Sequence, residues 1–408
     1  MLWRISTGLR RGAVELAFVA SLSAVGALGT NACSASDSHK APHAPTGGAT
    51  GDAGAPSEDA GSPAVGAAGG VPGSAGTSGA GIGGAGIGNE GGANEAGAGA
   101  GGDGETAATF FVSDSINNAV YRFSLTPTTD PVLTATLHPA FQPAAIGLAP
   151  TGELLVAQNT DNGGIARYTK PLTTLTPNGS IDGLGTSRVW DMAIVDGELW
   201  AGNSTLNCST DPASIIRVKF DASGTASAAG TITTGLVGAD RGLLWNPATR
   251  SLFVGQCYPV NVIQHYQVAT DESVTVGDAL SDNAINNPEG MVLSPWGELF
   301  VPNFGNGLGG TASGPGKQLL RYTLDADGAP APNGTIEGNG LNGPCYGSFT
   351  PWGELLVVNN VDGTLSRFTF DSSHSPIAHG TFQMEAAASP NGDYGVCGIV
   401  VTPGASTK

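Results

Sequence analysis

Gly353-Glu354-Leu355-Leu356-Val357-Val358-Asn359-Asn360, with Arg367-Phe368 seven residues further on, is one statement of a phrase that recurs from residue 110 onward. Gly152-Glu153-Leu154-Leu155-Val156-Ala157-Gln158 precedes Arg167-Tyr168, and Gly197-Glu198-Leu199-Trp200-Ala201-Gly202-Asn203 precedes Arg217-Val218. Gly297-Glu298-Leu299-Phe300-Val301-Pro302-Asn303 precedes Arg321-Tyr322. Two diverged copies are Phe110-Phe111-Val112-Ser113-Asp114 before Arg122-Phe123, and Leu252-Phe253-Val254-Gly255-Gln256 before His265-Tyr266. Short apolar runs bounded by Gly, Pro and Asn read as strands of about five residues. The runs are continuous instead of alternating, so these strands are expected to be buried on both faces.

Each unit carries two more strands. An apolar stretch ends at a proline turn before the phrase, as in Ile146-Gly147-Leu148-Ala149-Pro150, and a weaker strand such as Asn333-Gly334-Thr335-Ile336 follows it. Four strands at a period of 45 to 57 residues, counted through Arg122, Arg167, Arg217, Gln264, Arg321 and Arg367, predict an all-β six-bladed propeller. Residue 110 opens at the second strand of its unit, while Cys397-Gly398-Ile399-Val400-Val401 is a lone first strand at the other end. The C-terminal strand should therefore close the first blade. Through Gly290-Met291-Val292-Leu293-Ser294-Pro295-Trp296-Gly297-Glu298-Leu299-Phe300-Val301-Pro302-Asn303, the chain resembles the NHL-repeat and gluconolactonase-like group of six-bladed propellers. That motif is specific for fold and weak for chemistry.

The start of the chain has a different character. Arg4, Arg10 and Arg11 precede an apolar run from Leu16 to Leu28, the charged-then-apolar order of a secretory signal and too short for the roughly 20 residues that span a bilayer. Thr30-Asn31-Ala32-Cys33 resembles the lipobox of bacterial lipoproteins, which implies lipidation of Cys33 and a place in the cell envelope, at the outer membrane or cell surface; plain secretion is the alternative. Residues 1–32 then form the signal and 33–105 a disordered Gly/Ala/Ser tether with a reach of about 45 Å, leaving 106–408 as the propeller. The formal net charge is −18, most of it on the propeller, which argues against nucleic acid as a partner and leaves the lipid as the sole contact with a membrane.

Four cysteines lie within the propeller segment. Cys345 and Cys397 stand at the entrances to neighbouring inner strands, and Cys208 and Cys257 follow second strands in adjacent blades. Pairing 345 with 397 and 208 with 257 is one of three connectivities, favoured by equivalent positions and an exported setting. Four reduced thiols are the alternative.

The connections after the second strands of blades three and five are the longest, Ser204 to Ser214 and Phe304 to Lys317. Elaborated loops on a rigid scaffold suit recognition. Trp190, Arg241, Tyr258, Phe304, Tyr346 and Tyr394 lie near that mouth, where aromatics can stack on a sugar or peptide. The leading expectation is a binding module for an extracellular or periplasmic carbohydrate, peptide or protein. The gluconolactonase-like resemblance implies an alternative, a divalent-cation-dependent lactonase in which Glu289, Asp191, Asp240 and Asn303 hold the metal. Ala144, Cys345 and Cys397 fill the remaining equivalent positions, whereas Ca2+ takes about six to eight oxygens. Asp114, Gln158, Asn203, Gln256, Asn303 and Asn359 end the second strands and read as caps of the following hairpins before they read as a ligand ring. Neither a Gly-x-Ser-x-Gly elbow nor a complete phosphate loop is present.

Overall fold

The computed structural model describes residues 107–160, 163–170, 172–183, 188–204, 213–237, 240–257, 260–305, 316–385 and 395–402. Within them lie six four-stranded antiparallel sheets. Blade one contains β1 (Ala108–Asp114), β2 (Ala119–Leu125) and β3 (Val132–Leu137). Blade two is β4 (Pro143–Leu148), β5 (Leu154–Gln158), β6 (Ile165–Thr169) and β7 (Thr176–Ile181), and blade three is β8 (Val189–Val195), β9 (Glu198–Asn203), β10 (Ser214–Phe220) and β11 (Ala226–Ile232). Blade four is β12 (Asp240–Asn246), β13 (Ser251–Gln256), β14 (Val262–Val268) and β15 (Val274–Leu280). Blade five follows with β16 (Val292–Leu293), β17 (Glu298–Asn303), β18 (Gln318–Leu324) and β19 (Pro330–Glu337). Blade six is β20 (Pro344–Phe349), β21 (Leu355–Asn359), β22 (Thr364–Phe370) and β23 (Pro376–Gln383). The last strand, β24 (Val396–Thr402), is the inner strand of blade one and pairs antiparallel with β1, Phe110 opposite Val401 and Val112 opposite Ile399. The expected closure is formed.

Burial follows strand position. Every residue of β9, β13, β17 and β21 is buried, whereas β7, β11, β19 and β23 are largely exposed. A second strand is covered on both faces because alternate side chains enter opposite seams. Leu154 and Val156 join Phe111 and Val120 of blade one, while Leu155 and Ala157 join Leu199 and Ala201 of blade three. Each seam between successive blades holds one such cluster, including the closing seam, where Phe110 and Tyr121 meet Leu356 and Leu365.

The Glu and Arg of the repeated phrase pair within a blade. Arg167 bonds Glu153 at 2.5 Å, Arg217 bonds Glu198 at 2.7 Å, Arg321 bonds Glu298 at 2.7 Å and Arg367 bonds Glu354 at 2.7 Å. Burial disfavours ionisation of Glu298, yet hydrogen bonds from Arg321, Trp296 and Asn333 hold its carboxyl below the ordinary value. Three of the arginines also reach into the next blade: Arg217 to Glu272 at 2.6 Å, Arg321 to the His374 carbonyl at 2.9 Å, and Arg367 to Asp130 at 3.0 Å. Blade four replaces both members together. Ser251 stands for the glutamate, and His265, whose pKa burial lowers, bonds it at 3.0 Å. The register pairs Phe253 with His265, so His265, not Gln264, occupies the repeated arginine position.

Candidate functional site

Inner strands enter the ring through an irregularity. In blades three, four and six, one extra residue sits between Val189 and Asp191, Asp240 and Gly242, and Pro344 and Tyr346. Blade five does the same, since Pro288 opposes Asn303 while Val292 opposes Phe300. Such a bulge re-aims a side chain. The residues in question are Trp190, Arg241, Glu289 and Cys345, and all four are buried.

Four blades thereby meet near the axis. The Arg241 guanidinium lies 3.8 Å from the centre of the Trp190 ring, a stacked arrangement worth more when desolvated, and Arg241 is only 1% exposed. Tyr346 comes from blade six to span them, its hydroxyl directed at the carbonyls of Trp190 at 2.5 Å and Arg241 at 3.1 Å. Gly290 makes room for that ring: a Cβ there would fall 1.9 Å from Tyr346 Cδ1.

Glu289 is the anomaly of the group. It is 4% exposed, and its Oε1 has no hydrogen-bond partner among the described residues. Burial pushes its carboxyl up to about 7, against the opposing charge of Arg241, which favours ionisation. Glu298 and Glu354, equally buried, are spent on arginines; Glu289 is not. A carboxyl titrating near neutrality is available both to take and to give a proton.

The remaining expected residues divide three ways. Asp191 lies at the wall of a central cavity of about 1800 Å³ and accepts backbone N–H bonds at 2.8 Å from Met192 and from Leu243 of blade four. Asn303 is fully buried, its Oδ1 accepting from Asn286 N at 2.6 Å and its Nδ2 donating to the Ala284 carbonyl at 2.8 Å. Both are committed to holding backbone. Asn359 likewise accepts from Asn342 N at 3.1 Å, so these second-strand ends secure the chain entering the same blade's inner strand, not only the hairpin that follows. Asp240 begins β12, but its side chain is outside the described set, as are Cys33, Cys208, Tyr258, Tyr394 and the Cys397 side chain.

One expectation is corrected by this placement. Trp190, Arg241, Phe304 and Tyr346 form no exposed platform, because each is buried in the ring or its seams. The oxygens of Asp191 and Asn303 each accept a backbone N–H bond and keep lone pairs beyond it, Glu289 Oε1 has no hydrogen-bond partner among the described residues, and the Asp240 side chain lies outside them. Among the described residues, no group of three or more His, Cys, Asp or Glu side chains is placed to hold a metal ion. The Cys345–Cys397 bridge is not formed there either: Cys345 is a buried thiol whose Sγ lies 3.5 Å from the Val358 carbonyl. Cys257 is buried at the end of β13, and the expected pairing with Cys208 falls outside the described residues. Sequence reasoning passed over Asn286 and Asn287, which share the turn that delivers Glu289; the run Asn286-Asn287-Pro288-Glu289 was the available signal.

Neither a family model nor a curated protein matches the chain. Among solved structures, a putative 6-phosphogluconolactonase from Bacteroides uniformis aligns with a TM-score of 0.52 over 71% of this chain and 88% of that one, at 13% identity. The periplasmic gluconolactonase of Pseudomonas aeruginosa aligns with a TM-score of 0.50 over 73% and 89%, at 16% identity. A protein from Lactobacillus plantarum gives 0.50 over 72% and 99%, at 15% identity. The chain is a six-bladed β-propeller whose fold is similar to that of these gluconolactonase-like propellers.

Proposed function

We propose that the protein is a lactone hydrolase in which Glu289 is the acid–base group. The observation that carries this reading is a wholly enclosed carboxyl poised near neutrality with an oxygen left unbonded, where the inner strand of blade five enters the ring. The fold shared with a gluconolactonase and a putative 6-phosphogluconolactonase supports the substrate class. In the proposed step, ionised Glu289 takes a proton from water as the water oxygen bonds to the lactone carbonyl carbon. The ring C–O bond then breaks, the proton passes to the departing alkoxide, and a hydroxy acid is released. Arg241 favours the ionised form of Glu289 by its charge.

Purified protein assayed with D-glucono-1,5-lactone should release acid, and Glu289→Gln should reduce turnover by about 100-fold or more. Absence of hydrolysis by the parent protein, or full activity in the Gln variant, would refute the reading. The long connections of blades three and five favour a second reading, a binding module for a carbohydrate, peptide or protein. It requires saturable binding without turnover.

The site works outside the cytoplasm, on a tether anchored through Cys33, a placement supported by the charged-then-apolar leader and the Gly/Ala/Ser stretch. Cys33→Ala should release the protein from membranes; membrane retention of that variant would exclude the lipid.

A further inference from the structure

The central cavity opens at the turns that join inner to second strands, the end of the ring opposite the entrance where Glu289 stands, with Pro150, Pro295 and Pro351 in its lining. Six equivalent residues encircle it there. Leu148, Ile194, Trp245, Leu293, Phe349 and Val401 each oppose the first apolar residue of their own blade's second strand. All six line the cavity and all are half-buried. One or two residues further in along the strands, Met192, Leu244, Val292 and Val400 continue the same surface. A closed ring of apolar side chains that solvent can reach marks a place for an apolar ligand.

One side of this well is cationic. Phe111 opposes Arg122 as Leu356 opposes Arg367, so blade one keeps the arginine of the repeated phrase, but Thr109 stands where blade six has Glu354. Arg122 is therefore without its glutamate. Nor does the next blade supply an acid. Glu272 and Asp130 reach Arg217 and Arg367 from the turns after third strands, whereas the corresponding turn of blade two, Lys170 to Leu175, carries a lysine and no carboxylate. Among the described residues, neither Arg122 nor Lys170 pairs with an acid; Arg122 Nη1 donates to Thr134 Oγ1 at 3.2 Å, and its buried Nε has no partner. Thr109, Arg122 and Lys170 all line the cavity. Asp325 and Asp371 stand at its rim on blades five and six, where each caps its own hairpin by accepting from Asp327 N at 2.9 Å and Ser373 N at 2.8 Å.

We infer that this well binds an amphipathic carboxylate of the fatty-acid class, whose head group takes the place of the missing glutamate beside Arg122 while its chain lies against the apolar ring. A carboxylate matches a guanidinium in shape as well as charge, and an anion relieves two like charges that line one wall. In a chain of formal net charge −18, two uncompensated cations beside an apolar surface are the local exception. The cavity, at about 1800 Å³, exceeds the roughly 300–1,000 Å³ of a site for a drug-sized molecule, so a long chain has room. The site is separate from Glu289 and does not depend on what that residue does.

The test is a fluorescence titration of the full chain with 11-(dansylamino)undecanoic acid, followed by displacement with decanoate, 1-decanol and acetate. Saturable binding is expected, with decanoate displacing the probe about tenfold or more better than the alcohol or acetate. Thr109→Glu restores the glutamate of the repeat, so it should raise the melting temperature and weaken probe binding by about tenfold or more. Lys170→Gln, at an exposed side chain, should weaken binding with the melting temperature unchanged, and it decides the matter alone if Thr109→Glu fails to fold. Absence of saturable binding by the parent protein would overturn the inference. So would displacement by 1-decanol equal to that by decanoate, which leaves an apolar well with no head-group site, or equal displacement by acetate, which leaves an anion site with no use for the well. Affinity unmoved in both variants would remove Arg122 and Lys170 from the site, and the inference with them.

Discussion

Arg367 of blade six reaches Asp130 of blade one, Nη1 to Oδ1 3.0 Å, so a salt bridge crosses the seam between the last blade and the first. The partners are unequal. Asp130 is 85% exposed, whereas Arg367 is buried and also holds Glu354, which is wholly buried, through two hydrogen bonds at 2.7 and 3.2 Å. Asp130→Ala should therefore cost at most about 1 kcal/mol. Arg367→Met leaves the buried Glu354 charge with only Trp352 Nε1 and His379 Nδ1 as side-chain partners and should cost about 3 kcal/mol. Urea unfolding of the two variants measures the contrast, and equal losses would contradict it.

Tyr346 and Gly290 predict a packing effect at the axis. Gly290→Ala puts a methyl into the Tyr346 ring and should destabilise by about 1–3 kcal/mol. Tyr346→Phe removes a hydroxyl from two buried carbonyls, at a cost of about 1–2 kcal/mol. If the ring yields space when the hydroxyl is gone, the double variant will be less damaged than the sum, which thermal melts of all three proteins would show.

Glu289 gives stability a particular pH dependence. Its carboxyl binds a proton more tightly in the folded state, about 7 against an ordinary 4.5, so its contribution is complete below pH 4.5 and is lost as pH rises through about 7. Glu289→Gln lacks this term. The variant should gain on the parent protein between pH 4.5 and 7 and hold a constant lead above that, on the order of 3 kcal/mol. A difference that does not change with pH would mean the carboxyl is unshifted.

Catalysis should register the same group with the opposite slope. If ionised Glu289 takes the proton from water, kcat/KM should rise through about pH 7 and level off above it. Arg241→Met removes the charge that favours ionisation, so the acid limb should move to higher pH. A limb that stays in place would detach Arg241 from the titration.

Much of the architecture was legible because a propeller is assembled from local repeats. The phrase around Glu354 gives strand length and burial, and the orphan strand at Cys397–Val401 predicts closure. Blade four had two readings in the sequence: counting from Arg217 runs through Gln264, whereas the repeated phrase puts His265 at the arginine position, and the pairing of Phe253 with His265 bears out the second. The repeated Glu and Arg were visible as letters, but their pairing depends on strand register, and their reach into the next blade depends on assembly.

The sequence by itself determined six sheets, their order and the strand that completes the ring, because continuous apolar runs and turn chemistry act over a few residues at a time. Only the tertiary structure decided the site. Trp190, Arg241, Glu289 and Tyr346 are far apart in the chain and meet after closure, and one extra residue at the inner-strand entrances carries the first three into buried positions. A carboxyl acquires its proton affinity from what surrounds it, and the surroundings of Glu289 come from a neighbouring blade.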